Sequence, residues 1–290
     1  MDELKLKALA KINIGLDVLR RREDGYHDVR MIMQTVHLYD WLTIRKSKKA
    51  GIHLSSNLYY LPVNENNLIY KAADLLIKEF SIEEGVEIAL EKHIPVAAGM
   101  AGGSTDAAAT LYGMNKMFGL GLKMEQLKQR GVRLGADVPY CLMRGTALAE
   151  GIGEQLTSLP PMPKCPVLIA KPGISVSTKF VYENLQLDDA TIHPDIDALI
   201  TDIRKKDLQG IADDMGNVLE TVTIPNYPEI ETLKETMKQA GALNAMMSGS
   251  GPTVFGLFED TKSAKKAFTA VKRTGLAKQL YLTTIYNNRK

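Results

Sequence analysis

Cysteine and tryptophan are scarce in this chain, with two and one among 290 residues. Cys141 and Cys165 have neither the density of a secreted disulfide scaffold nor the spacing of a metal site, so both are expected to be reduced and wholly or partly buried. An excess of one charge is also missing. Lys and Arg number 36 against 34 Asp and Glu, and a net charge of +2 excludes nucleic-acid binding by bulk electrostatics. The longest basic run, Arg45 to Lys49, reads as a solvated turn. No apolar stretch approaches bilayer-spanning length, and the N-terminus alternates Lys and Leu where a secretory leader would be continuously apolar. A cytoplasmic protein with no membrane partner is therefore expected. The chain does have 45% hydrophobic and 24% charged residues, enough for a large core, and a length that suits two domains.

The hydrophobic pattern outlines an α+β chain. From Leu4 to Val18 every even position is apolar, while Lys5, Lys7, Lys11, Asn13 and Asp17 occupy odd ones. Period two predicts a strand with one buried face and places Lys11 and Asn13 together on the open one. The Asp24-Gly25 turn predicts a hairpin into 29–36, and further strands are expected at 41–46, 51–55 and 86–93. Helical spacing predicts helices over 67–80, 105–118 and 124–134. A second hairpin is expected over 145–154, and the prolines of 159–163 break regular structure, which sets a domain boundary there: 1–160 and 161–290. Beyond it lie a strand at 167–170, three helical stretches within 177–240, strands at 245–247, 253–258 and 279–285, and a helix at 262–273.

Four segments carry candidate chemistry. Pro95, Val96, Ala97, Ala98, Gly99, Met100, Ala101, Gly102, Gly103, Ser104 and Thr105 form a glycine-rich stretch just before an alanine-rich helical run. Glycines let backbone amides approach a ligand, and a helix start offers N–H groups and partial positive charge to phosphate. The stretch lacks the Gly-Lys-Ser/Thr of a Walker loop and is not a Gly-x-Gly-x-x-Gly fingerprint. In isolation a tight turn is the lesser alternative. Taken alone, Lys11 and Asn13 read as a surface pair, Asp137 within Gly135-Ala-Asp-Val-Pro139 as a helix cap, and Ser248-Gly-Ser-Gly251 as a connection.

In this order and at these separations, however, the four segments resemble the signature of the GHMP kinases, and the resemblance covers nearly the whole chain. It implies a two-domain fold: an N-terminal domain of mixed sheet and helices and a C-terminal ferredoxin-like α/β domain. It also implies transfer of a phosphoryl group from ATP, with Mg²⁺ near Ser104 or Thr105, to a small alcohol. By the resemblance Asp137 accepts the hydroxyl proton, Lys11 bonds the same hydroxyl, and residues 95–105 wrap the triphosphate.

The run Arg20 to His27, with its Asp-Gly-Tyr-His turn, and Ser175–Thr178 followed by Tyr182 are similar to the branch whose acceptor is a cytidyl diphosphate sugar alcohol of isoprenoid synthesis. In that branch Tyr26 and Tyr182 stack on the base, His27 reads its edge and Asn13 touches the polar tail. The resemblance leaves open a monomer or a homodimer. Other acceptors, namely homoserine, mevalonate or a sugar, and a non-catalytic nucleotide-binding relative are the alternatives. The chain departs from the family at Leu9, where proline is usual, and at Ala97 and Ala101, where many relatives have glycine. Alanine at 101 favours negative φ and is expected to limit the loop.

Overall fold

The computed structural model describes residues 2–188 and 191–288. Its contacts group into two compact units. One comprises residues 1–10, 38–96 and 101–143, and the other 11–37, 97–100 and 144–290. The interleaving arises because two long strands, β1 (Glu3–Arg21) and β2 (His27–Ser47), contribute to both units.

The first unit adds β3 (Ile52–Ser56), α1 (Leu68–Phe80), β4 (Gly85–Glu91), α2 (Gly102–Met117), α3 (Met124–Val132) and α4 (Val138–Met143). β4 pairs antiparallel with the second half of β2, from Trp41 opposite Glu91 to Ser47 opposite Gly85, and β3 runs parallel to β4. Even positions of both central strands face inward: Leu38, Asp40, Leu42 and Ile44 on β2, and Val86, Ile88 and Leu90 on β4 with Lys92 just beyond it, are all buried. β2 is thus one strand where two were expected, because the inward alternation continues through 37–40. α1, capped by Asn67, packs on α2, as do α3 and α4. On the outward face the chain's one tryptophan, Trp41, meets Tyr39 edge-on at 5.3 Å, with the Lys5 ammonium 4.6 Å from its ring centre.

The second unit contains, in chain order, β5 (Thr146–Glu150), β6 (Gln155–Ser158), β7 (Pro166–Pro172), α5 (Thr178–Glu183), α6 (Ile196–Lys205), α7 (Leu208–Asp213), β8 (Gly216–Asn217), α8 (Glu220–Asn226), α9 (Glu229–Gln239), β9 (Asn244–Met247), β10 (Val254–Leu257), α10 (Thr261–Thr274) and β11 (Ala277–Thr284). β5 pairs with the first half of β2 and with β6, while β8 runs parallel to β1 with Gly15 opposite Gly216. A separate antiparallel sheet has the order β11-β7-β10-β9, with α9 and α10 packed on it, the ferredoxin-like arrangement expected.

The three helical stretches expected over 177–240 are five among the described residues, because Asp195 and Asp207 start new helices by capping them and Lys206 turns left-handed between them. The second strand of the hairpin expected over 145–154 lies at 155–158, since 151–154 form the turn. Both cysteines are buried, and burial pushes the Cys165 thiol up to about 12. No helix among the described residues is long and apolar enough to cross a membrane.

The open face expected for β1 is not open. All residues from Ala8 to Val18 are buried. α6 explains this at Gly15, where a Cβ would stand 2.7 Å from Leu199 and 2.9 Å from Ile196. The strand is therefore covered on both sides exactly where its polar residues lie, so each of those residues needs a partner inside the protein.

Candidate active site

In the first unit the helix after the glycine stretch starts at Gly102, three residues before the expected Thr105. Glycine's low helix propensity does not prevent so early a start. The first intrahelical bond runs from the Thr105 N–H to the Ala101 carbonyl at 2.9 Å, and no side chain caps α2. The amides of Gly102, Gly103 and Ser104 are those that a helix leaves without an intrahelical acceptor. With no acidic residue in this first turn, their partial positive charge is not offset there.

Beneath that helix start sits a buried ion cluster. The Lys92 ammonium bonds Asp40 and, at 2.7 Å, Asp106 of α2. Asp40 also accepts the backbone N–H of His93 and, at 2.8 Å, of Ile94, so it fixes the chain as it reaches Pro95. The second carboxylate oxygen of Asp106 is buried without a hydrogen-bond partner. Burial pushes the Asp106 carboxyl well above the ordinary carboxylate range, against the pull of Lys92. A Cβ on Gly102 would come within 2.9 Å of the ammonium, which explains glycine at this position. None of these three charged residues was singled out from sequence. The available signal was two opposite charges, Asp40 and Lys92, on the inward parity of two otherwise apolar strands.

Asp137 sits in the turn before α4, half-buried, with its carbonyl accepting the Cys141 N–H at 3.0 Å. This is the helix-opening position that the capping alternative anticipated. The turn also lies by the start of α2, since a Cβ on neighbouring Gly135 would be 4.0 Å from the Ser104 hydroxyl. Ser104 is half-buried, whereas Thr105 is 2% exposed.

The second unit holds residues 97–100 of the glycine stretch. Positive φ occurs at Ala97 (49°), Gly99 (70°) and Ala101 (55°), every second residue. Ala101 thus adopts the conformation that alanine was expected to resist, at a cost of roughly 1–2 kcal/mol per such residue. Alternation of this kind turns successive N–H groups into an anion-binding concavity. Gly99 is also obligatory on space alone: a Cβ there would lie 2.1 Å from the Ser248 carbonyl. The Ser248 hydroxyl donates to the Gly99 carbonyl at 2.9 Å, and the Lys11 N–H bonds the Met100 carbonyl at 3.2 Å. The glycine stretch therefore fits phosphate by its uncapped helix start, its backbone alternation and the absence of room for side chains at its tightest point.

Lys11 and Asn13 do project together, with Lys11 Nζ 2.6 Å from Asn13 Oδ1, but they are 5% and 0% exposed rather than on the surface. The Asn13 amide also reaches the Met31 sulfur at 3.2 Å, and its backbone N–H reaches the Ser248 hydroxyl at 3.4 Å.

The turn at 22–26 is closed by the Arg22 N–H to the Tyr26 carbonyl at 2.8 Å and by the Tyr26 N–H to Asp24 Oδ1 at 3.0 Å, with Gly25 at φ 84°. It exposes Tyr26 and sets the His27 ring 5.1 Å from that of Tyr182 on α5. Ser177 caps α5, and Thr178 Oγ1 lies 2.8 Å from Ser250 Oγ. Burial, helped by the nearby Arg21, lowers the His27 pKa from 6.5, which favours the neutral ring. Such a ring can offer both a donor and an acceptor.

Residues 67–145 match the family model "GHMP kinases N terminal domain", and residues 199–277 match "GHMP kinases C terminal". A 4-diphosphocytidyl-2-C-methyl-D-erythritol kinase from Lachnospira eligens is 56% identical over 286 residues, covering 99% of each chain. Its namesake from Clostridium perfringens is 49% identical over 285 residues, covering 98% of this chain and 99% of the relative. A crystal structure of 4-(cytidine 5'-diphospho)-2C-methyl-D-erythritol kinase, 31% identical, superposes with a TM-score of 0.84 over 98% of this chain and all of the other. A homoserine kinase from Cytophaga hutchinsonii, 22% identical with a TM-score of 0.77 over 98% of this chain and 95% of its own, shares the fold.

Two predictions follow from the geometry. Lys92→Met leaves two buried carboxylates uncompensated and is expected to cost about 3–5 kcal/mol in urea unfolding; a loss below about 1 kcal/mol would mean that the ammonium does not balance them. In an NMR titration His27 is expected to protonate with a midpoint below 6.5, and a midpoint at or above 6.5 would contradict its burial.

Proposed function

The chain belongs to the GHMP kinases, in the branch of the 4-diphosphocytidyl-2-C-methyl-D-erythritol kinases, and on that premise we propose that it phosphorylates the 2-hydroxyl of 4-diphosphocytidyl-2-C-methyl-D-erythritol in non-mevalonate isoprenoid precursor synthesis. It is an ATP-dependent small-molecule kinase. The observation that carries the reading is at Lys11. A buried ammonium, held by Asn13, lies on a residue whose own N–H bonds the Met100 carbonyl of the glycine stretch, so the cation and the phosphate cradle are tied together by backbone.

In this reading the alcohol oxygen forms a bond to the γ-phosphorus of ATP as the bond to the ADP oxygen breaks, and Asp137 takes the hydroxyl proton. The Lys11 ammonium bonds the same hydroxyl and stabilises charge as it develops on that oxygen. Residues 95–105 hold the triphosphate through backbone N–H groups and the start of α2. Mg²⁺ would neutralise the phosphate oxygens. Ser104 is the hydroxyl suited to it, because Thr105 is buried in the helix. Among the described residues no three His, Cys, Asp or Glu cluster as a metal site, which fits an ion carried in largely by the nucleotide.

The cytosine base would stack on Tyr26 and Tyr182, while neutral His27 bonds its edge and Asn13 touches the polar tail. This aromatic group favours a cytidyl acceptor over homoserine, mevalonate or a sugar, none of which has a planar aromatic ring to stack. The two family matches fall on either side of residue 160, which supports 1–160 and 161–290 as sequence domains distinct from the spatial units. A cytoplasmic location is part of this reading, since the reaction needs a compartment supplied with ATP.

A coupled ADP-release assay with 4-diphosphocytidyl-2-C-methyl-D-erythritol, mevalonate and homoserine is expected to respond to the first alone. Turnover of either other acceptor at a comparable rate would reassign the substrate. Asp137→Asn is expected to lower kcat by about 10²–10⁴-fold with ADP affinity retained, and near-normal turnover would remove Asp137 as the base. Tyr26→Ala is expected to raise KM for the cytidyl substrate by about tenfold with KM for ATP unchanged, and an unaltered acceptor KM would end the stacking assignment.

A further inference from the structure

The second glycine loop, Ser248–Gly251, is clasped from behind by two side chains of the short segment Asn217–Glu220. Asn217, 7% exposed, donates both hydrogens of its amide, one to the Met247 carbonyl at 2.9 Å and one to the Gly249 carbonyl at 2.8 Å. Its oxygen accepts the Leu219 N–H at 3.0 Å, so the orientation of the amide is determined. A reversed amide would set an oxygen against two carbonyl oxygens.

Glu220 accepts the Met247 N–H at 2.7 Å with one carboxylate oxygen, and the other meets the Lys234 ammonium of α9 at 2.8 Å. The carbonyl and N–H of Met247 and the carbonyl of Gly249, which flank Ser248, are thereby held by two side chains of one short segment. β8 anchors the segment to β1, with Leu16 opposite Asn217.

What this clasp holds is the Ser248 hydroxyl, the group that joins the Gly99 carbonyl to the Asn13 N–H. We propose that Asn217 and Glu220 are positioning residues for phosphoryl transfer: by fixing the backbone of 247–249 they set the Ser248 hydroxyl, and through it both the left-handed Gly99 and the strand that bears Lys11 and Asn13. The inference rests on the kinase reading above, in which those elements serve the reaction. Neither residue touches a substrate. A small displacement of the loop would misplace reacting groups more than it would weaken binding, because alignment affects the rate of transfer steeply.

The test is steady-state kinetics of the full chain with ATP and the cytidyl acceptor, alongside thermal unfolding. Asn217→Asp keeps the acceptor for the Leu219 N–H but turns a donor to two carbonyls into a repelling oxygen. It is expected to lower kcat about 10- to 100-fold with both KM values within about threefold of wild type. Glu220→Gln retains an acceptor for the Met247 N–H and should keep kcat within about threefold, whereas Glu220→Ala should lower it by about tenfold or more.

Wild-type kcat in folded Asn217→Asp, or equal losses in Glu220→Gln and Glu220→Ala, would overturn the proposal, the second by assigning the effect to the charge pair with Lys234. Should Asn217→Asp fail to fold, the Glu220 pair decides. An inactive wild-type protein would instead count against the assigned substrate, so the two failures are told apart.

Discussion

One ammonium group, that of Lys92 just beyond β4, joins the strand that carries Asp40 and the first turns of α2 through Asp106. Burying three charges is expensive, and hydrophobic replacements of such clusters often do as well or better for stability. The cluster is better understood through what it positions. Asp40 also takes the two backbone N–H groups that immediately precede Pro95, so the chain enters the glycine stretch in one direction only, and Asp106 ties the helix at the other end of that stretch to the same cation. Burial, with Asp40 close by, raises the Asp106 carboxyl above the ordinary carboxylate range despite the pull of Lys92.

Between those anchors the backbone is strained. Two alanines hold left-handed conformations, and Gly99 has no room for a single added carbon. Strain persists only where surroundings over-determine it, and in the second unit they do. The Ser248 hydroxyl engages the Gly99 carbonyl, the Lys11 N–H engages the Met100 carbonyl, and the clasp of Asn217 and Glu220 stands behind Ser248. In the proposed reaction a loop organised in this way would present its N–H groups to the triphosphate without having to reorganise, the condition under which electrostatic stabilisation is most effective.

The parts of this arrangement that sequence discloses are those with a local period or a short motif. Alternation along β1 placed Lys11 and Asn13 side by side but could not reveal that they are buried, because what lies against that strand, Ser248 at Asn13 and Ile196 and Leu199 at Gly15, comes from far along the chain. The Asp24-Gly25 turn was legible because turn chemistry is local. The start of α2 lies three residues before the expected one, since tertiary context overrides the low helix propensity of Gly102 and Gly103, and Ala101 was judged by its side chain when its conformation is determined by neighbours. Asp40 and Lys92 were readable in principle, as charges on an apolar parity. Asn217 and Glu220 were not, since their partners are loop backbone groups some thirty residues on, and backbone groups leave no trace in a sequence.

The lone indole at Trp41 lies wholly within the first unit, stacked edge-on against Tyr39 and faced by the Lys5 ammonium. Its emission therefore reports first on the part of the sheet formed by β2, β3 and β4, whereas circular dichroism sums the whole chain. Unfolding followed by the two signals in parallel separates the fate of the units without any label, and the chain's poverty in tryptophan becomes a built-in spectroscopic address.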